Sequence, residues 1–213
     1  MSDVMDLARA ERGDLAELLS ELRPADWDAP SLCTAWRVRD VVAHMLSYEE
    51  LSRADLARRF VRGRFLVGRT NAVAMSDYAE YGPAQLLELA ERSRTPRGLT
   101  AGFGGRIALV DGLIHQQDIR RPLGRPRDIP PERLRPALDF ARTAPTIGAL
   151  WRVRGLRLVA TDVDWSAGRG PEVRGAGEAL LMVMAGRRGS TDELDGDGVR
   201  TLAGRIEGRP AAG

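Results

Sequence analysis

Asp111 and His115 stand four residues apart in the run from Arg106 to Gly124. In a helix that spacing brings both side chains to nearly one face. A carboxylate and an imidazole so placed are a common way to present two ligands to one divalent metal. Neither suffices alone, and the chain has only two histidines. The other, His44, lies in a second helix-like segment, Trp36-Arg37-Val38-Arg39-Asp40-Val41-Val42-Ala43-His44-Met45-Leu46. The expectation is an open three-ligand metal site, His44, Asp111 and His115, inside a helical bundle. Each residue also has a plainer reading. A histidine on an apolar helix is often a satisfied core residue, and Asp111 could pair with Arg106 or with an arginine across the bundle.

The neighbouring polar residues are read in the same way. Asp40, four residues before His44, either accepts that ring's other N–H or serves the first turn of its helix, where a carboxylate suits the dipole. Asp118 is expected to pair with Arg120 or Arg121 near the helix end. Cys33 is the single cysteine; no third histidine exists to activate it, so it reads as a small buried residue rather than a nucleophile or a fourth ligand. Trp27 and Trp36 pack in their loop or wall a pocket.

Several elements must position these groups. Residues 3–22 carry Val4, Leu7, Ala8, Leu15, Leu18, Leu19 and Leu22 at helical spacing, and Pro24 follows. Thr34 is a plausible N-cap for a second helix running to about Phe60 or Arg62. Residues 63–82 give no clear period and read as a loop or a mobile segment beside a pocket. Pro83 opens a short helix to about Arg94. The central helix should stop near Arg121, because Pro122 disfavours helical geometry at the residue before it. Pro130-Pro131 opens a further helix to about 144. Beyond it, residues 156–166 alternate and are rich in β-branched types, as a strand does. Residues 171–174 suggest a short returning strand, and 176–187 and 197–206 suggest two helices. The domain boundary is placed at 148: a helical bundle over 1–148 and a small α+β domain over 149–213.

Composition narrows the function classes. The 213 residues, 43% hydrophobic and 29% charged, hold ample core. No apolar run approaches the ~18 residues of a membrane span, and Met1–Asp6 does not resemble a signal peptide, so a cytoplasmic protein is expected. All 32 basic residues are arginine, which suggests a GC-rich genome. They are spread among 30 acids without a basic block, which argues against nucleic-acid binding.

Three blocks carry a family resemblance. Trp27 to Cys33 with Trp36 to His44 resembles the start of the mycothiol-dependent maleylpyruvate isomerase family, one of the DinB-like metal-binding helical bundles. Asp111-x-x-x-His115-x-x-Asp118-Ile119-Arg120-Arg121-Pro122-Leu123-Gly124 is similar to its second motif. Gly155 to Asp162, Trp165 and Ala185-Gly186-Arg187 resemble its small C-terminal domain. The resemblance implies a mainly α fold, a DinB-like four-helix bundle followed by a small α+β domain. It implies a divalent metal, usually zinc, held by His, Glu and His, with a thiol cofactor, mycothiol, reaching the open position. His44 and His115 match the two histidines. Asp111 stands where the family has Glu, one methylene longer, so the helix must sit closer or a water must bridge. Arg187 is the match for the family's catalytic arginine.

The chemistry this implies is addition of a metal-bound thiolate to an electrophilic small molecule, with Arg187 steadying the developing enolate. If the thiol then departs the enzyme is an isomerase; if it stays, an S-transferase. Zinc suits two imidazoles and a carboxylate, and nickel, cobalt or iron are acceptable. The protein is expected to be a monomer or homodimer, with no nucleic-acid or membrane partner. The alternatives are a non-catalytic metal- or ligand-binding module such as a sensor, a structural remnant without metal, and a lipid carrier built on the C-terminal domain.

Overall fold

The computed structural model describes residues 3–64 and 67–208. The chain divides into two compact units, Met1–Pro126 and Arg127–Ala212.

In the first unit, α1 (Val4–Ser20) begins where the Asp3 carboxylate accepts the Met5 N–H. It buries Leu7, Ala8, Leu15, Leu18 and Leu19, the stripe expected from their spacing. A 3₁₀ turn, Pro24–Asp28, leads to the loop before α2 (Val38–Leu46). Thr34 does not cap α2. Arg37 occupies that position, and Asp40 accepts its backbone N–H at 2.9 Å and its guanidinium at 3.1 Å. Asp40 therefore serves the helix start.

The single long helix expected to reach Phe60 or Arg62 is two helices. α2 ends at Leu46, and α3 (Arg53–Arg62) starts afresh with Ser52 capping Asp55. Two buried arginines account for the break by taking carbonyls at the end of α2. Arg12 donates to Met45 O at 3.4 Å and Arg59 to Ser47 O at 2.7 Å. Such end carbonyls lack partners within a helix and need outside donors. Residues 63–82, ambiguous by sequence, contain α4 (Val67–Asp77), which packs on α3 and α2.

α5 (Pro83–Arg92) starts at Gly82, whose N–H is taken by the Gln85 side chain. The last helix of the unit is α6 (Arg106–Arg120). Helices α1, α2, α5 and α6 form the four-helix bundle: α1 lies against α5 and α6, and α2 against the same two. Its core includes Leu15, Leu19, Trp27, Val41, Met45, Leu86, Leu89 and Ile119, and each such side chain contributes about 2 kcal/mol by burial. Gly112 lets α6 approach α1 closely, since an added Cβ would fall 2.8 Å from Glu11 Cγ.

The second unit is mixed. α7 (Pro131–Thr143), assigned from sequence to the bundle domain, lies after the division at Pro126 and packs on α9 (Gly177–Met184). Between them come a single turn, α8 (Ala149–Arg152), and three short strands. β1 (Arg157–Ala160) is central, β2 (Ser166–Gly168) antiparallel to it, and β3 (Glu172–Gly175) parallel on its other edge. The expected strand over 156–166 is thus cut by a turn in which Trp165 bonds Asp139 through its indole N–H at 2.8 Å. The chain crosses from β2 to β3 beneath the start of β1 in three residues. Gly170 permits this: its φ is +124°, and a Cβ there would lie 2.2 Å from Gly155 O. α10 (Val199–Glu207) closes the unit. The apolar run Leu180–Met184 is fully buried, so it forms this unit's core and offers no lipid groove. No helix among the described residues is long and apolar enough to cross a membrane.

Candidate metal centre

His44 sits near the C-terminal end of α2, and Asp111 and His115 lie one turn apart on α6, the helix α2 packs against. Burial of Val41, Val42, Met45 and Leu46 fixes the rotation of α2. That places half-buried His44 at the edge of the core, facing α6. The two imidazole rings meet nearly at right angles, 81°, with centroids 4.9 Å apart. Asp111 Oδ1 is 3.5 Å from His115 Nε2. One ligand atom from each of His44, Asp111 and His115 lies within 4.8 Å of the others.

This donor set fits a cation. Ligand atoms around a tetrahedral zinc ion are about 3.3 Å apart, given metal–ligand distances near 2.0–2.1 Å. The Asp111–His115 separation, 3.5 Å, is close to that value, and the three donors together lie within 4.8 Å of one another. Three protein donors leave one coordination position open, the arrangement of catalytic rather than structural sites.

Aromatic side chains surround the centre. Trp36 is 5.1 Å from the His44 ring and Tyr48 meets it edge-on at 6.3 Å. The Tyr48 hydroxyl donates to Asn71 Oδ1 at 2.9 Å, and the Arg59 guanidinium lies 5.3 Å over its ring. Arg59 is in turn bonded to Asp77 at 3.0 Å. The stretch left open by sequence therefore supplies Asn71 and Asp77 to the surroundings of the site. Trp36 also borders a cleft of about 280 Å³, together with Arg37, Arg39, Tyr78 and Tyr81.

The electrostatics centre on His115. Burial by itself disfavours its charged form, but the Asp111 charge and hydrogen bonds with Asp118 and Cys33 outweigh that, and its pKa is pushed up to about 10. Without metal the ring therefore carries a proton at neutral pH. Burial also raises the Tyr48 hydroxyl, with Arg59 opposing and Asp111 adding to the rise. Glu49 rises for the same first reason, against the pull of Arg12.

A second group shares the same histidine. Asp118, one turn beyond His115, turns inward: its side chain is 0% exposed, and its Oδ2 accepts the His115 Nδ1–H at 2.8 Å. Cys33 donates to that same oxygen at 3.1 Å and lies 3.9 Å from His115 Nδ1. These contacts to His115 and Cys33 differ from the pairing with Arg120 or Arg121 that the place of Asp118 near the helix end suggests. The signal was present: positions 111, 115 and 118 follow the i, i+4, i+7 rhythm of one helical face. Arg187 lies in the second unit, just past α9, where its guanidinium donates to Ala185 O at 3.2 Å.

Residues 8–120 match the family described as "Mycothiol maleylpyruvate isomerase N-terminal domain". Two crystal structures of a mycothiol-dependent maleylpyruvate isomerase are similar in fold, each aligned over 91% of both chains. A variant of that enzyme with one histidine changed to alanine gives a TM-score of 0.61 at 17% identity. The other gives 0.54 at 15% identity. No curated protein matches the chain by sequence.

Proposed function

The chain belongs to the mycothiol maleylpyruvate isomerase N-terminal domain family, and on that premise we propose that it is a metal-dependent enzyme using a low-molecular-weight thiol of the mycothiol type. The observation that carries this reading is the convergence of His44, Asp111 and His115. Zinc is the proposed ion, since two imidazoles and a carboxylate suit it. Bound there, the cation supplies positive charge that favours thiolate over thiol at the open position.

The chain's own residues do the rest. His44 and His115 offer neutral nitrogen donors once the His115 proton is lost, and Asp111 supplies one negative charge. Trp36 and Tyr48 pack against the His44 ring, and apolar surface placed there strengthens electrostatic interactions inside the site. Arg187 is the proposed cation for negative charge developing on the substrate.

In the proposed reaction the thiol first gives up its proton to solvent. The thiolate sulfur then bonds to an electrophilic carbon of a small molecule, whose π electrons move onto the adjoining carbonyl oxygen. If the former double bond rotates and the thiolate is then expelled, the double bond re-forms in the other geometry and the outcome is isomerisation. If the enolate is instead protonated from solvent, the thioether persists and the outcome is S-transfer. The protein is proposed to act in the cytoplasm, as a monomer or homodimer, without nucleic-acid or membrane partners. The test is zinc-loaded protein with mycothiol and an activated-alkene acid such as maleylpyruvate. Thiol-dependent turnover, lost in His115→Ala, supports the reading; a thiol that neither raises the melting temperature nor supports turnover contradicts it.

A second reading, a metal- or ligand-binding module without catalysis, is favoured by one observation. Asp111 and protonated His115 form an ion pair that completes the site without metal. Stoichiometric metal with no thiol response would favour it.

A further inference from the structure

We infer that Asp118 is a positioning residue that presents His115 Nε2 to the metal, an inference that rests on the metal-binding reading above. Asp118 Oδ2 accepts the His115 Nδ1–H at 2.8 Å, while the ring's other nitrogen faces Asp111 at 3.5 Å. A single imidazole is thus held between two carboxylates of one helix. Asp111, one turn before it, belongs to the metal-facing set. Asp118, one turn after it, lies on the opposite edge of the ring.

A neutral imidazole carries its proton on either nitrogen, and only the deprotonated one can bind metal. By accepting from Nδ1, Asp118 keeps the proton there and leaves the Nε2 lone pair for the ion. A carboxylate in this place also fixes the ring's rotation and raises its basicity as a ligand.

Asp118 is itself held in place. The Cys33 thiol donates to the same Oδ2 at 3.1 Å, and the Leu32 N–H donates to the Asp118 carbonyl at 3.0 Å. The loop before α2 is therefore tied to α6 at this one residue through both main chain and side chain. Ser31 Oγ accepts the Cys33 N–H at 3.1 Å and donates to Trp36 O at 2.8 Å, which keeps the loop closed. Cys33 acts as a donor to Asp118, on the Nδ1 side of the ring, while Asp111 faces Nε2.

The experiment titrates cobalt(II) into the full-length wild type, Asp118→Asn and Cys33→Ser, reading affinity from the metal's absorption bands. It is paired with ¹⁵N imidazole spectra of the zinc-loaded proteins, which two histidines make simple to assign. Asp118→Asn should weaken cobalt binding about 10–100-fold and shift the His115 Nδ1–H signal. Its metal-free melting temperature should fall, because a buried carboxylate facing His115 loses its charge, so affinity is read at a temperature where both proteins are folded. Cys33→Ser, which keeps a donor to Asp118, should bind close to wild type. Unchanged affinity and unchanged His115 tautomer in Asp118→Asn overturn the inference while leaving the metal reading intact. A wild-type spectrum with metal on Nδ1 of His115 overturns it even if Asp118→Asn fails to fold. No cobalt binding by the wild type overturns the metal reading, and this inference with it.

Discussion

Asp111 Oδ1 lies 3.5 Å from His115 Nε2, one turn apart on α6 and within reach of His44 on α2. Without metal, this contact is an ion pair, because His115 keeps its proton to about pH 10. A metal must displace that proton, so binding is linked to pH.

Cobalt or zinc affinity should therefore climb roughly tenfold per pH unit between pH 7 and 9, since one proton leaves for each ion bound. Competition titrations at several pH values check this. A flat profile would mean that His115 is already neutral in the metal-free protein.

The same proton governs stability without metal. Native His115 holds it more tightly than the unfolded chain does, with a pKa near 10 against an ordinary 6.5. Its contribution is fully present below about pH 6.5 and fades as pH rises toward 10. The metal-free melting temperature should fall over that window more steeply in the wild type than in His115→Ala.

Asp111→Asn removes the negative charge from the donor set and the neighbour that favours protonated His115. Metal affinity should drop by an order of magnitude or more, and the His115 titration should move to lower pH. Both can be read from one NMR-monitored titration.

Arg12 and Glu49 form an ion pair at 2.7 Å whose side chains are 1% and 2% exposed. Arg12→Ala leaves Glu49 buried without its cation and strips a donor from the end of α2. Urea unfolding should show a loss of about 3–5 kcal/mol. Replacing the pair together, Arg12→Met with Glu49→Leu, should cost less, because no charge is left behind.

Gly112→Ala pushes a methyl against Glu11 Cγ, near the backbone end of that side chain. The Glu11–Gln116 hydrogen bond at 2.6 Å must adjust with it. The expected cost is about 1–3 kcal/mol, and a displaced α6 should weaken metal binding as well. Unfolding and cobalt titration of one sample measure both.

The proposed ligands were legible because helical spacing alone joins Asp111 to His115, and only one further histidine was available. The bundle was legible from the apolar stripe of α1, from Pro83 at the start of α5 and from Pro122 after the end of α6. The break between α2 and α3 was not, because Arg12 and Arg59 create it by taking carbonyls far from them in sequence. Asp118 escaped for a related reason: next to two arginines it looks like a surface acid, and only packing shows that it is buried on His115. In the second unit the β-branched run marked β1 and residues 171–174 marked β3, but the parallel pairing of β3 depends on a glycine crossing whose geometry a one-dimensional pattern does not carry. α7 was grouped with the bundle because its amphipathic pattern does not say which core receives it.

Metal content per chain decides whether His44, Asp111 and His115 hold an ion. Elemental analysis of tag-free protein, zinc-loaded at neutral pH and desalted, should give about one ion per chain, the stoichiometry of a single three-ligand site, with the ion lost in His115→Ala. Wild-type protein that emerges without metal, or His115→Ala that retains it equally, would rule out the three-ligand site.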